Sequence, residues 1–199
     1  MRKMRAVYLS DTLHQGEAPM SLKEHFQLLA AYNQWMNAKV YEAAGRLSAS
    51  ELTKDRGAFF GSILGTLNHI VVADTLWFKR FVTHPSCLDS FQAVVDLENP
   101  KSLDQIVFDD LDGLKEHRIW LDRQIIEWTS LLSEEDLDFV LTYHNMKGIP
   151  ASKRYSILVL HFFNHQTHHR GQVSTLLSQM GVDVGVTDLL ALIPDETQV

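Results

Sequence analysis

Three stretches of the chain repeat apolar positions every three or four residues, the period of a helix with one buried face. In the first, Phe26, Leu29, Ala30, Asn33, Met36, Val40 and Ala44 share a stripe, and Ser21 followed by Glu24 reads as a capping box. Together they predict a helix over 21–47. Ile63, Leu67, Ile70, Asp74, Trp77 and Phe81 predict a second, ending near Thr83 ahead of Pro85. Val107, Leu111, Leu114, Ile119, Leu121, Ile125 and Trp128 predict a third over 104–132. A fourth is expected to begin near Ser152 or Arg154 and reach Met180, with Gly181 where a left-handed C-cap is wanted.

The stretches between these are less regular. Residues 48–57 have no clear period, and 84–102 form a long connection with two prolines. Phe139, Leu141 and Tyr143 alternate with Val140 and Thr142 ahead of Lys147-Gly148, which predicts a small hairpin or extended loop before the fourth helix. Asp188 to Ile193 predict a short terminal helix. Residues 1–19, with Gly16 and Pro19 and no sustained period, are expected to form an N-terminal tail, with Met20 an alternative start. One domain over 20–193 and a C-terminal tail over 194–199 complete the organisation. The predicted fold is all-α, a four-helix bundle.

Composition narrows the function. With 45% hydrophobic and 22% charged residues the chain is an ordinary soluble domain. A net charge of -7 without a basic patch argues against a nucleic-acid partner. No segment approaches the roughly 20 apolar residues of a membrane span. Arg2, Lys3 and Arg5 precede an apolar run, Ala6 to Leu9, too short for a signal-peptide core, so a cytoplasmic location is expected. The lone cysteine, Cys87, excludes an intrachain disulfide and reads as an exposed reduced thiol.

Histidine is the unusual residue: ten in all, four of them within 161–169. Positions four apart on a helix are about 40° from each other and about 6 Å apart along the axis, so both rings reach one ion. His165 with His169 satisfies this, His161 with His165 satisfies it equally, and spacing does not choose. A third donor has to come from another helix, and His69 is the histidine inside the second apolar stripe. Gly65, Thr66 and Ala73 make its face small-sided, leaving space for an ion and part of a ligand. Gln172, seven after His165, is placed to hydrogen-bond a bound water or substrate. A lone histidine on an apolar helix is more often a core residue with a hydrogen bond. Four in nine positions are harder to satisfy that way, because each buried imidazole needs partners for two nitrogens. The Glu-x-x-His pairs of ferritin-like sites, the His-Glu-x-x-His motif and the Gly-x-Ser-x-Gly elbow are all absent.

Three runs together resemble the DinB/YfiT family of metal-binding four-helix proteins. Tyr32-Asn33-Gln34-Trp35-Met36-Asn37 is similar to that family's first-helix motif, Asn68-His69-Ile70 with Asp74 and Trp77 to its second, and His161 through Gln172 to its fourth. The resemblance covers about 20–192. It implies an up-down-down-up bundle with a long crossover, a homodimer, and a divalent transition metal, zinc or nickel, on His69, His165 and His169. It also implies an enzyme using the open metal position, either for transfer of a low-molecular-weight thiol (mycothiol, bacillithiol or glutathione) to an electrophilic small-molecule substrate or for hydrolysis. His161 and Gln172 are then the candidates to orient the nucleophile. The alternative is a non-catalytic, stress- or damage-induced bundle whose metal only clamps helices together.

Overall fold

Ser21 and Glu24 form the reciprocal cap that their spacing predicts. The Ser21 hydroxyl accepts the Glu24 N–H at 3.2 Å and the Glu24 carboxylate accepts the Ser21 N–H at 2.7 Å, opening α1 (Leu22–Ala44). The computed structural model describes residues 20–87 and 90–195 and continues with α2 (Ala49–Thr53), α3 (Ile63–Phe81), α4 (Gln92–Val95) and α5 (Leu111–Leu131). Then come α6 (Glu134–Asp138), the antiparallel pair β1 (Val140–His144) and β2 (Pro150–Arg154), and α7 (Tyr155–Gln179). The predicted N-terminal tail and residues 196–199 of the C-terminal one lie outside the described residues.

The hairpin is therefore real, and Gly181 takes the left-handed conformation expected of it, φ 73°, with the Val182 N–H returning to the Leu177 carbonyl at 3.0 Å. Several expectations are corrected. The aperiodic 48–57 stretch contains α2, started by a second capping box between Ser48 and Glu51. The predicted terminal helix is a single 3-10 turn, Leu189–Leu192. The third long helix begins at Leu111 rather than Asp104. Asp110 caps it, and Asn68 of α3 ties down the irregular segment before it, accepting the Val107 and Phe108 N–H groups at 2.8 and 3.0 Å and donating to the Phe108 carbonyl at 2.9 Å. Val107 is thus exposed and outside the helix, and Ile119 lies on its solvent side. Cys87 is buried rather than exposed, and burial pushes its thiol pKa up.

Two apolar clusters fill the bundle and reveal the helix directions. One gathers Phe26 from the start of α1, Phe78 and Phe81 from the end of α3, Ile125 and Trp128 from late α5, and Phe162 from early α7. The other gathers Val40 from late α1, Ile63 and Leu67 from early α3, Leu114 from early α5, and Leu177 from late α7. So α1 and α7 run one way and α3 and α5 the other. Parallel α3 and α5 require the long crossover that 82–110 provide.

Every long helix contributes to a buried polar layer, which falls between the two clusters in sequence on α3 and α7 and interleaves with them on α1 and α5. Asn33, Asn37, Asp74, Arg118, Asp122, Gln166 and Arg170 are each no more than 3% exposed. Arg118 pairs with Asp74 and, at 2.9 Å, with Asp122. Gln166 donates to Asp74 at 2.7 Å, Asn33 and Asn37 donate to Asp122 at 3.0 and 2.9 Å, and Arg170 donates to Asn33.

Candidate metal centre

Successive residues of a helix differ by about 100°, so α7 carries two polar stripes side by side. Gln166 and Arg170 join the polar layer, and the residues just before them, His165 and His169, turn toward His69 of α3. The Nε2 atom of His69 lies 3.3 Å from that of His165 and 3.2 Å from that of His169. One ring nitrogen from each of the three falls within 4.8 Å of the others.

The outer partners assign the protons. His69 Nδ1 is 2.8 Å from the Leu103 carbonyl, which can only accept, so Nδ1 carries the hydrogen and Nε2 a lone pair. His169 Nδ1 is likewise 2.9 Å from Gln172 Oε1, while the other end of that amide meets His168 Nε2 at 3.2 Å. His69 and His169 therefore aim lone pairs at each other with no proton between them. Protonation does not relieve this. Burial, with the neighbouring His169 and His69 adding to it, pushes His165 down to about 3, and burial lowers His69 and His169 as well. A tetrahedral ion with nitrogen ligands at about 2.0–2.1 Å sets them about 3.3–3.4 Å apart, close to the spacing found. The donor set is thus capable of coordinating a metal ion.

His161, which spacing could not exclude, sits one turn earlier on α7, its ring centroid 6.0 Å from that of His165 and edge-on to Trp77 at 5.1 Å. It falls outside the cluster. His168 is exposed. Of the small side chains around His69, Ala73 lines a cavity of about 500 Å³ that opens beside His69 and His165. Gly65 does something else. A Cβ there would lie 2.2 Å from the Phe60 carbonyl oxygen, so the missing side chain admits the 57–61 loop rather than a ligand. That approach stacks the Phe60 ring on His69 at 3.7 Å and sets it edge-on to His169 at 5.6 Å. Phe60 and the Leu103 carbonyl both escaped sequence reasoning, since neither lies in a periodic segment.

The chain matches the DinB family over residues 20–197. It belongs to the DinB family. A curated relative, Protein DinB of Bacillus subtilis (strain 168), is 24% identical over 160 residues, which is 80% of this chain and 88% of the relative. No solved structure matches the chain significantly. Within this DinB chain the motif runs divide between two tasks: Asn33, Asn37 and Asp74 belong to the polar layer, His69 to the histidine cluster, and the α7 run serves both. Among the described residues no helix is long and apolar enough to cross a membrane.

Proposed function

We propose that the protein is a metal-dependent enzyme that holds one divalent transition metal on His69, His165 and His169 and acts on a small molecule in the adjoining cavity, by thiol transfer to an electrophile or by hydrolysis. The observation that carries this reading is that His69 Nε2 lies 3.3 Å from His165 Nε2 and 3.2 Å from His169 Nε2, with the lone pairs of His69 and His169 facing each other, beside a cavity of about 500 Å³ lined by His69 and His165. Structural ions are usually closed by four protein ligands, whereas this cluster among the described residues has three, all from α3 and α7. That favours catalysis over a helix clamp. A bound ion would supply a Lewis acid with a free position, where a thiol or water loses its proton near neutral pH.

The chain's own groups prepare the site. The Leu103 carbonyl and the Gln172 amide fix the ring tautomers of His69 and His169 and increase the basicity of their inner nitrogens. Phe60 covers the His69 ring and keeps water from that side. His161, on the cavity wall with its pKa lowered by partial desolvation, would accept a proton from a molecule bound there. Histidine donors suit zinc or nickel, with supply deciding between them.

Metal analysis of untagged protein, purified without nickel resin, tests the ligand set. We expect about one equivalent of metal, a loss of affinity of roughly tenfold or more in His69→Ala, His165→Ala and His169→Ala, and little change in His168→Ala. Equal metal content in His69→Ala and the parent overturns the assignment. Cobalt-loaded protein reports the fourth position. A visible spectrum unmoved by azide, glutathione, bacillithiol and mycothiol would leave the clamp as the better reading.

A further inference from the structure

The cavity beside the histidines continues away from them. A second cavity, of about 620 Å³, shares Leu76, Arg80, Asn145 and Met146 as wall residues with the first. The first is walled mainly by apolar groups such as Trp77, Met146 and Ile149, and the second is polar. Arg80 lines both, Lys147 joins it in the first, and Lys79 and Lys101 join it in the second. No Asp or Glu lines either cavity, although the chain carries 25 acidic residues against 18 basic ones.

Arg80 differs from Arg118 and Arg154 in its partners. Arg118 has Asp74 and Asp122, and Arg154 has Asp138, but none of the ion pairs of the described residues includes Arg80. Its guanidinium instead lies over the rings of Trp77 at 4.7 Å and Tyr143 at 5.2 Å, half-buried, and desolvation lowers its pKa. Lys79 already donates to the Leu97 carbonyl. A guanidinium held over aromatic rings has N–H groups left for an anion and gives up less entropy than a free lysine would. Arg80 follows His69 by eleven residues on α3, about 16 Å along the axis, and a helical side chain leans back toward the N-terminus. The separation between its guanidinium and the histidines is thus on the order of 10–15 Å.

We propose that this groove binds an elongated organic anion, with its carboxylate or phosphate on Arg80, its apolar body against Trp77, Met146 and Ile149, and its far end at the histidines. The anion site stands without the metal. Only the assignment of the far end as the reacting end rests on the function proposed above.

Two fluorescent probes with the same apolar body test it: 8-anilinonaphthalene-1-sulfonate, which is anionic, and N-phenyl-1-naphthylamine, which is neutral. Titrated into chelator-treated full-length protein, the sulfonate should bind about fivefold or more tighter than the neutral probe, and Arg80→Gln should remove that preference while moving the neutral probe by less than about twofold. Ile149→Asp, on the exposed hairpin turn, places a carboxylate in the groove without disturbing the core; both probes lose an apolar contact there, and the sulfonate, which also meets the new charge, should weaken by several-fold more than the neutral probe. Decanoate or decyl phosphate should displace the sulfonate probe where decanol does not, and their ranking distinguishes carboxylate from phosphate. Equal loss of both probes in Arg80→Gln and Ile149→Asp, or no loss in either, overturns the proposal. Because metal is absent throughout, failure of the three-histidine reading would appear in the metal analysis and leave these titrations unchanged.

Discussion

Two groups of polar side chains sit at the same level of the bundle, one residue out of phase on α7, and they solve the problem of burial in opposite ways. The layer of Asp74, Arg118, Asp122 and Arg170 is complementary to itself: two cations, two anions and the amides of Asn33, Asn37 and Gln166 bond one another. It is paired rather than saturated, since Asp74 Oδ1 and Gln166 Oε1 find no partner. The histidine cluster is the reverse. Its members are alike, and the His69 and His169 Nε2 atoms that converge are acceptors, with their donor nitrogens already engaged outside. Complementary polar groups in a core hold helices together, whereas identical ones facing inward need a guest of opposite character. That contrast argues for a metal in the histidine group and against one in the charged layer, even though both sets contain good ligand types.

Removing one member of each set should separate the two roles most strongly. Arg118→Met keeps bulk but leaves Asp74 and Asp122 buried without their shared cation. Breaking such a pair costs about 3–5 kcal/mol, a drop in melting temperature on the order of 10 °C for a chain of this size. His69→Ala should lower the melting of metal-free protein by less than Arg118→Met does, through the lost Phe60 stacking and Leu103 hydrogen bond, and should abolish the stabilisation by added metal, which a ligand specific to the folded state provides by mass action. Thermal melts of both variants with chelator and with excess zinc check this. If Arg118→Met melts like its parent, or His69→Ala still gains stability from metal, the two regions do not differ in the way their bonding suggests.

A smaller effect is expected at Gly65, which belongs to neither set but shapes one of them. In Gly65→Ala the new Cβ meets the Phe60 carbonyl, a backbone group without the freedom of a side-chain tip, and the loop has to withdraw. Such overpacking costs about 1–3 kcal/mol. It should also weaken metal binding by uncovering the His69 ring, while the polar layer stays intact. Phe60→Ala separates the two consequences, because it uncovers the ring without forcing the loop away. A metal titration in which Gly65→Ala binds as the parent does would assign Phe60 to packing alone.

How far each region was legible in the sequence follows from the same contrast. The stripes of α1 and α3 and the Ser21 cap depend on neighbours within one or two turns, and periodicity finds such features. The start of α5 depends on Asn68, some forty positions earlier, which bonds the backbone of Val107 and Phe108 and holds them out of the helix. No local pattern reports that. Helical spacing could find that histidines pair on α7 but not which pair, because the choice is made by where α3 delivers His69. The polar layer was hidden in a different way. Asn33 and Asp74 were read as members of apolar stripes, and an Arg118–Asp122 pair four residues apart looks the same on a solvated helix face as in a core. Phe60 and Leu103 come from segments with no period, so their roles emerge only when the crossover and the 57–61 loop are seen lying against α3.

The smallest expected effect distinguishes the regions by pH in metal-free protein, and the two have opposite signs. An unfolded imidazole titrates near 6.5, whereas burial holds His165 at about 3 in the fold and lowers His69 and His169 too. Below about 6.5 the unfolded chain therefore takes up protons that the folded one refuses, so the contribution of these histidines is complete above that pH and is lost as pH falls from 6.5 toward 3. Asp74 behaves in the other direction. Burial outweighs the pull of Arg118 and lifts its carboxyl to about 6, so the fold takes up a proton while the unfolded aspartate is still ionised, and the layer gains as pH falls from about 6 toward 4. His84, His117 and His161, also lowered by burial, are present in every variant and cancel in the difference. Between about pH 7 and 5, His165→Gln should make the decline in melting temperature shallower by a few degrees, and Asp74→Asn should make it steeper. Chelated protein melted across that range gives both slopes. If His165→Gln runs parallel to the parent, the histidine nitrogens are not being held unprotonated by the fold, and the lone-pair convergence on which the metal reading rests loses its support.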